Sequence, residues 1–293
     1  MKYESGIALR PGQTEIGRML VEQGVITPDA AMEIIAYQRL HNIPFGRAAV
    51  LLNHAREEDV RFALALQFNY PYLRQNVNGT AVSPEVVTAY QPFGELADKF
   101  RDIRSKLVLA WSGNPQLNRM IAITSDSCGE GRSYIAANLA VTFAQMGQST
   151  LLVDGDLRAP RQHNLFNIAS AFGLSTILSG RANLRQCVVQ LGELQKLHLL
   201  PAGPTPPNPL ELLSQYGCSD LFAAAKEKFS VTIVDTSADV AGDDALMLGV
   251  HVGATVIVAL ANKTRADRIA KLTAKLQRTG VQVVGSVLNA PIA

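Results

Sequence analysis

From residue 121 onward, short apolar runs alternate with segments of helical length. The runs are rich in Val, Ile and Leu: IAITS (121–125), TLLVD (150–154), LHLLP (197–201), VTIVD (231–235), ATVIVAL (254–260) and VQVVGSVL (281–288). Helical patterns lie between them at Ser133–Met146, Asn208–Gln215 and Ala266–Thr279. Strands that are apolar throughout are typical of a parallel sheet buried on both faces. The pattern therefore predicts an α/β fold, a mostly parallel sheet with helices on both faces.

The first 73 residues carry a different pattern, which is helical and weakly repeated. The repeat spans 29 residues, the distance from Gly17 to Gly46, and it places Ile35 on Leu64. Each copy is predicted to contain a helix, a turn and a second amphipathic helix. A small helical bundle without a ligand is the simplest interpretation of this region.

Residues 74–92 interrupt both patterns. The stretch RQNVNGTAVSPEVVTAYQP contains an Asn-Gly pair and two X-Pro steps, which break regular elements. We therefore expect a linker at 74–92, between a helical repeat domain at 1–73 and an α/β domain at 93–293. Two domains suit a chain of 293 residues, since one domain usually takes about 100 to 200.

Composition narrows the possible partners and compartments. The chain has 27 Lys and Arg against 25 Asp and Glu, a net charge of +2, so no overall attraction to nucleic acid is expected. Three scattered cysteines and the absence of a secretory signal favour the reducing cytoplasm. The longest largely apolar run, Val250 to Ala261, is shorter than the roughly 20 residues of a membrane span. We expect a cytoplasmic protein with no transmembrane segment of its own.

A glycine-containing loop joins the first predicted strand to the next helix. Its sequence, DSCGEGRS at 126–133, fits the phosphate-binding pattern GxxxxGK[ST] at Gly131 and Ser133, whereas Asp126 replaces the first glycine and Arg132 the lysine. In such a P-loop, backbone N–H groups surround a phosphate, the cation reaches the terminal phosphates and the hydroxyl holds Mg²⁺. A purely structural turn is the alternative for the loop taken alone. The candidate nucleotide-binding residues are Ser127, Cys128, Gly129, Glu130, Gly131, Arg132, Ser133 and Tyr134.

Carboxylates follow two other predicted strands. Asp154 and Asp156 end the second strand, and Asp235 ends the fourth. Because ligands bind at the carboxyl edge of an open α/β sheet, these side chains are expected beside the P-loop. Three neighbouring carboxylates repel one another unless a cation joins them, so the arrangement predicts bound Mg²⁺. Single aspartates at strand ends often only cap helices, but three beside one P-loop favour a metal site.

The motifs extend well beyond the P-loop. They read ITSDSCGEGRSYIAANLAVTFAQMG, LLVDGDLRAPRQHNLF, GLSTILSG, LHLLPAGPTPPNPLELL and VTIVDTSAD. Together they resemble the bacterial tyrosine kinases (BY-kinases) of exopolysaccharide export, and the whole chain is similar to the EpsG-type chain-length-determinant kinases. The Pro-rich GPTPPNPLELL and the DxDxR of Asp154, Asp156 and Arg158 are more specific than a P-loop alone.

The resemblance implies a role for each site residue. Arg132 and Ser133 correspond to the Walker A motif, Asp154 and Asp156 to Walker A′, and Asp235 to Walker B. The implied catalytic residues are Asp154, Asp156 and Arg132, with one of the two aspartates as general base on a tyrosine hydroxyl. The implied metal ligands are Ser133, Asp154, Asp156 and Asp235, with ATP and Mg²⁺ as cofactors. Phosphoryl transfer suits such a site because positioning and charge neutralisation supply most of its catalysis.

The resemblance also implies partners. The segment from Asp98 to Arg104 is similar to the ExxRxxR helix through which BY-kinases assemble into rings, so Asp98, Arg101 and Arg104 are expected to mediate homo-oligomerisation. A solvated helix face is the simpler explanation of that pattern in isolation. The other expected partners are a protein tyrosine substrate and a separate membrane-embedded polysaccharide chain-length-determinant protein. That second partner would hold the chain at the inner face of the membrane.

Three departures from the family pattern affect the expected activity. Arg132 is bulkier and less mobile than lysine, so nucleotide affinity is expected to survive better than catalysis. Many family members carry a tyrosine-rich tail as autophosphorylation target, whereas none of the seven tyrosines here lies beyond Tyr216. Ser237 and Ala238 stand where the family usually has two prolines after the Walker B Asp-Thr.

The N-terminal repeat, EIGRMLVEQGVITPDAAMEIIAYQ, resembles the N-terminal domain of type II secretion and pilus ATPases. Some of those domains bind cyclic di-GMP through an Arg-Leu-Gly at the start of each repeat. Here the corresponding residues are Glu15-Ile16-Gly17 and Pro44-Phe45-Gly46, without the arginine that would pair with phosphate. The sequence therefore favours a protein-docking role for this domain.

Three functions remain open from the sequence. The first is an ATP-dependent protein tyrosine kinase or kinase-like regulator of exopolysaccharide chain length and export. The second is a catalytically silent switch that binds ATP and signals by assembly. The third is a positioning ATPase of the MinD or ParA type, which carries an extra lysine where this sequence has Ser127.

Overall fold

The computed structural model describes residues 15–67, 70, 71, 73, 82–114, 117–192 and 194–290. The chain divides into two compact units, Met1–Pro71 and Tyr72–Ala293. Residues 1–14 of the predicted helical domain and 74–81 of the predicted linker lie outside the described residues. The domain boundaries drawn from the sequence stay predictions.

The smaller unit consists of two helix pairs, one for each copy of the repeat. Its helices are α1 (Glu15–Glu22), α2 (Pro28–His41), α3 (Phe45–Leu51) and α4 (Glu57–Gln67). The turn between the helices is alike in both copies, since Val25 N–H donates to the Leu20 carbonyl and His54 N–H to the Ala49 carbonyl. Leu20 and Ala49 are fully buried, which explains why both copies keep an apolar residue there.

The larger unit is built around a sheet. Its elements are α5 (Val87–Tyr90), α6 (Glu95–Gly113), β1 (Met120–Ser125), α7 (Arg132–Gln145), β2 (Thr150–Asp154), α8 (Gln162–Leu165), α9 (Leu174–Leu178), α10 (Leu184–Cys187), β3 (Val189–Gln190), β4 (Leu197–Leu200), α11 (Pro209–Leu213), α12 (Tyr216–Lys228), β5 (Val231–Asp235), a 3₁₀ turn at Asp239–Ala241, α13 (Asp244–Val252), β6 (Ala254–Leu260), α14 (Ala266–Arg278) and β7 (Gln282–Asn289). Among the described residues, no helix combines the length and apolarity needed to cross a bilayer.

The described strands form one seven-stranded sheet in the order β3-β4-β2-β5-β1-β6-β7. All neighbouring pairs are parallel except β3 and β4. Strands β1, β2 and β5 are buried along their whole length because separate apolar cores cover the two faces of the sheet. The predicted α/β fold is confirmed. Its central strands bring Ser125, Asp154 and Asp235 to the same carboxyl edge.

The sequence pattern missed several described elements, of which β3 and α5 are the most informative. The antiparallel strand β3 has only two residues, both exposed, so no apolar pattern in the sequence predicts it. Residues 82–92, assigned to the linker, pack onto the larger unit and include helix α5. Val86 and Ala89 are fully buried in the core against α7, which explains why this segment is ordered despite its turn-forming sequence.

Candidate active site

The P-loop connects β1 to α7 with a backbone suited to a phosphate. Gly129 and Gly131 have φ of 77° and 100°, in the left-handed region that glycine adopts most easily. A side chain at position 131 would also collide with the Asn289 amide, which donates to the Glu130 carbonyl at 3.0 Å. No side chain caps the start of α7, so its first N–H groups and its dipole suit an anion.

The side chains of the P-loop do not all point to one ligand. Glu130 is buried and closes the loop by accepting Ser127 N–H at 3.0 Å and the Thr264 hydroxyl. Cys128 is exposed. The ring of Tyr134 packs against Phe100 at a centroid distance of 5.6 Å, and burial followed by the charge of Glu85 raises its pKa. The Glu130 carboxylate therefore stabilises the shape of the loop.

Arg132 is buried and bound at three points. Its Nε donates to the Thr236 carbonyl at 2.8 Å, and its Nη1 donates to the Ser127 carbonyl at 2.9 Å and to the Ser125 hydroxyl. Its Nη2 lies 3.9 Å from a carboxylate oxygen of Asp156. The guanidinium thus joins the end of β1, the P-loop and the segment after β5.

Asp154 and Asp235 lie side by side because they are register partners in β2 and β5. Both are fully buried. Burial, with the charge of Asp235 as second cause, raises the pKa of Asp154 well above its usual range. Burial raises the pKa of Asp235 to about 6, although hydrogen bonds from Ser133 and Gln162 and the charge of Arg132 oppose the rise. A pair of this kind is costly to keep ionised unless a cation binds.

Two polar residues that sequence reasoning missed complete the site. Gln162 donates to Asp235 at 2.9 Å and to the Ser133 carbonyl at 3.0 Å, so it bridges β5 and the start of α7. Asp244, at the start of α13, accepts two hydrogen bonds from Arg158 at 2.5 and 3.1 Å. The available signal for Gln162 was its place in the same quoted motif as Asp154, and Asp244 had no comparable signal.

Asp156 lies at the outer side of this group. Its Oδ1 accepts the N–H groups of Arg158 and Ala159 at 3.2 and 2.9 Å, and its Oδ2 faces Arg132. By contrast, Asp154 uses Oδ2 to accept the N–H groups of Arg161 and Gln162 at 3.0 and 2.8 Å. The two predicted base candidates therefore have different surroundings.

The donor set fits Mg²⁺ held together with a nucleotide. Within the described residues, Asp154 and Asp235 each have one buried Oδ1 without a hydrogen bond, and the Ser133 side chain hydrogen-bonds to Asp235. In the described part of the chain, no three His, Cys, Asp or Glu side chains form a metal cluster by themselves. Mg²⁺ usually takes only one or two protein carboxylates and completes its shell with phosphates and water. The predicted set of Ser133, Asp154, Asp156 and Asp235 stays a prediction.

The three residues assigned to assembly lie on α6 and make contacts within the chain. Arg101 donates to Asp98 and to the Pro92 carbonyl. Arg104 donates to the Thr142 carbonyl near the end of α7 at 2.7 Å. Both arginines therefore stabilise the packing around α6, and the role of the three residues in oligomerisation stays a prediction.

Most of the chain is similar to known proteins. No protein-family model matches it. It is 35% identical over 217 residues to the tyrosine-protein kinase YwqD of Bacillus subtilis (strain 168), an alignment that covers 74% of this chain and 90% of that protein. The chain belongs to the BY-kinases. The predicted family and enzyme class are thereby confirmed.

Two solved structures are similar to this BY-kinase over most of its length. The chimerical protein CapA2B2 has 33% identity and a TM-score of 0.66, with 80% of this chain and 98% of that chain covered. The kinase domain of the Escherichia coli tyrosine kinase ETK has 28% identity and a TM-score of 0.69, with 75% and 86% covered. The fold is thus that of BY-kinase domains.

Proposed function

We propose that the protein is an ATP-dependent protein tyrosine kinase that acts at the carboxyl edge of β1, β2 and β5. The observation that carries the proposal is the pairing of Asp154 with Asp235 beside Ser133 and Arg132 of the P-loop. These groups include a cation that can bind phosphate. They also include a hydroxyl and two carboxylates that can hold Mg²⁺, and a carboxylate that can act as base. Phosphoryl transfer needs these groups.

The residues of the site have separate roles in the proposed reaction. The N–H groups at the start of α7 and the charge of Arg132 bind and orient the phosphates. Ser133, Asp235 and one of the Walker A′ aspartates would hold Mg²⁺, which supplies charge neutralisation. The other Walker A′ aspartate takes the proton of the tyrosine hydroxyl. Gln162 holds Asp235 and the first turn of α7 together, so it positions both halves of the site.

The proposal extends to the pathway, the partners and the N-terminal unit. We infer an EpsG-type kinase that regulates exopolysaccharide chain length and export on the cytoplasmic side of the membrane. It would work with a separate membrane-embedded chain-length-determinant protein and assemble into a homo-oligomer through Asp98, Arg101 and Arg104. The N-terminal unit, with its likeness to secretion-ATPase N-terminal domains, would dock on a protein. Membership of the BY-kinases and the quoted motifs support these inferences.

An assay of phosphotyrosine tests the activity. The purified chain is incubated with Mg²⁺ and ATP, with and without the cytoplasmic segment of its membrane partner, and probed with anti-phosphotyrosine antibody. We expect phosphotyrosine on the chain or on the added segment, and none with Asp154→Asn or Asp156→Asn. Nucleotide binding by one of these variants would identify its aspartate as the base, because a lost metal ligand weakens binding as well. Equal signals from all three proteins would contradict the proposal.

A second function is supported by the way Arg132 is held. Three hydrogen bonds restrain a side chain that in a P-loop must follow the terminal phosphate during transfer. This restraint favours an ATP-dependent assembly switch without phosphotransfer. Such a switch would change its oligomeric mass on binding Mg·ATP and give no phosphotyrosine. The positioning ATPase is less supported, since Ser127 stands where that group has lysine.

A further inference from the structure

The site contains a cradle that suits arginine and does not suit lysine. We call the Ser125 hydroxyl, the Ser127 carbonyl and the Thr236 carbonyl the arginine cradle, because all three accept hydrogen bonds from Arg132. The acceptors belong to β1, the P-loop and the segment after β5. A lysine has one nitrogen and could not reach three such separate points with the same geometry.

Ser125 has a particular place in this cradle. It is fully buried at the end of β1. Its hydroxyl accepts from Arg132 Nη1 and donates to the Ser127 carbonyl at 2.9 Å, so one group orients both the guanidinium and the loop. An alanine at this position could do neither, and it would leave Arg132 with two of its three hydrogen bonds.

The cradle leaves one nitrogen of Arg132 available. Within the described part of the chain, Nε and Nη1 make all of its hydrogen bonds, and Nη2 has only the loose ion pair with Asp156 at 3.9 Å. A guanidinium is planar, so fixing Nε and Nη1 also fixes the direction of Nη2. Asp156 follows β2 at the carboxyl edge of the sheet, the edge at which the P-loop and the start of α7 offer a site for phosphates.

We propose that Ser125 is a positioning residue that aims Nη2 of Arg132 at the last phosphate of ATP. The inference rests on the proposed function and deepens it, since it explains how an arginine serves in place of the usual lysine. Its consequence is specific: loss of the Ser125 hydroxyl weakens the contact with the third phosphate and leaves the contacts with the first two largely intact.

Binding measurements on the full chain test this consequence. The dissociation constants of Mg·ADP and of Mg with a non-hydrolysable ATP analogue are measured for the wild type and Ser125→Ala. We expect the preference for the triphosphate to fall roughly tenfold, the effect of one weakened charge-assisted hydrogen bond. Ser125→Thr keeps a hydroxyl and is expected to restore the preference.

A neighbouring residue gives a matched control. Thr124 is also buried on β1, but its hydroxyl makes no hydrogen bond among the described residues. Thr124→Val therefore removes a hydroxyl of the same strand and is expected to leave the preference for the triphosphate unchanged. Thermal melting of each variant without nucleotide shows whether it is folded.

The effect of Ser125→Ala in the Arg132→Lys variant distinguishes positioning of Arg132 from general support of the fold. In Arg132→Lys, whose lysine does not use the cradle, Ser125→Ala is expected to cause little further loss of preference. Equal weakening of both nucleotides by Ser125→Ala, or full additivity with Arg132→Lys, would overturn the inference. Absence of nucleotide binding by the wild type would instead contradict the proposed function.

Discussion

At the scale of single residues, the site is held together by charges that the fold must keep out of water. Asp154 and Asp235 are fully buried and adjacent, and Arg132 and Gln162 supply only part of the compensation. Burial and mutual repulsion make the ionised pair unfavourable without a cation. The ionised site therefore has uncompensated negative charge, which the Mg²⁺ of a Mg·nucleotide would neutralise.

This uncompensated charge predicts how Asp235→Asn changes the stability of the protein with pH. Burial raises the pKa of Asp235 from 3.8 to about 6. The free-energy penalty of ionising this carboxyl in the folded protein is therefore absent below pH 3.8 and complete above about pH 6. The variant lacks that penalty. Without Mg²⁺ or nucleotide, we expect its stability relative to wild type to rise by about 2 kcal/mol between pH 4 and pH 8.

Chemical denaturation at several pH values measures this difference. Glu227→Gln, a neutralised exposed carboxylate on α12, is the control and should show no such trend. A difference between Asp235→Asn and wild type that stays constant from pH 4 to pH 8 would contradict the assignment of a raised pKa.

At the scale of elements, α7 connects the P-loop to the segment at residues 82–92. Asn138, buried in the middle of α7, accepts Thr88 N–H at 3.0 Å and donates to the Glu85 carbonyl at 2.9 Å. Glu85 in turn forms a two-point ion pair with Arg161, whose own N–H donates to Asp154. The segment is thus continuous with the site through hydrogen bonds.

We predict that Asn138→Ala destabilises the protein by about 2 to 4 kcal/mol, because it leaves the buried N–H of Thr88 without its partner and removes the partly buried hydrogen bond to the Glu85 carbonyl. Denaturant unfolding of the full chain measures the change. Gln277→Ala removes an exposed amide on α14 and should change stability by less than about 0.5 kcal/mol. Similar effects of the two substitutions would show that the 82–92 segment does not depend on Asn138.

The elements also show how far the sequence could predict the fold. Strands such as β2 and β5 are continuous apolar runs, and the structure places them where the pattern does. Helix α5 was missed because an X-Pro step and few apolar positions precede it, and contacts with α6 and α7 order it. Local pattern therefore finds elements whose own residues are continuously or regularly apolar and misses those ordered by distant contacts.

The same reasoning applies to the site. The P-loop and the strand-end aspartates carry their chemistry in a short stretch of sequence, so they could be named in advance. Gln162 acts on Asp235 across 73 residues, and Arg132 meets Thr236 across 104. Such partners depend on sheet order, which the sequence alone does not specify.

At the scale of the whole molecule, assembly is the open physical question. Arg101 and Arg104 were assigned to contacts between subunits, yet both bond within the chain. The two roles are compatible only if a neighbouring subunit exchanges with, or adds to, these internal contacts.

We predict that Arg101→Ala combined with Arg104→Ala lowers both the oligomeric mass and the melting temperature. Light scattering after size exclusion measures mass, and a thermal scan measures the loss of the internal hydrogen bonds. Lys106→Ala, an exposed cation on α6, is the control and should change neither. A double variant that keeps its mass while melting earlier would restrict these arginines to packing.

The central claim is that this site moves the last phosphate of ATP to a tyrosine. A single-turnover experiment follows γ-labelled ATP with Mg²⁺ and excess enzyme, for wild type and Arg132→Lys, and separates label on tyrosine from inorganic phosphate. The account predicts that wild type transfers label to tyrosine, even if more slowly than Arg132→Lys. Bound ATP that keeps its label in wild type, while Arg132→Lys transfers or releases it faster, would contradict the account and support the silent switch.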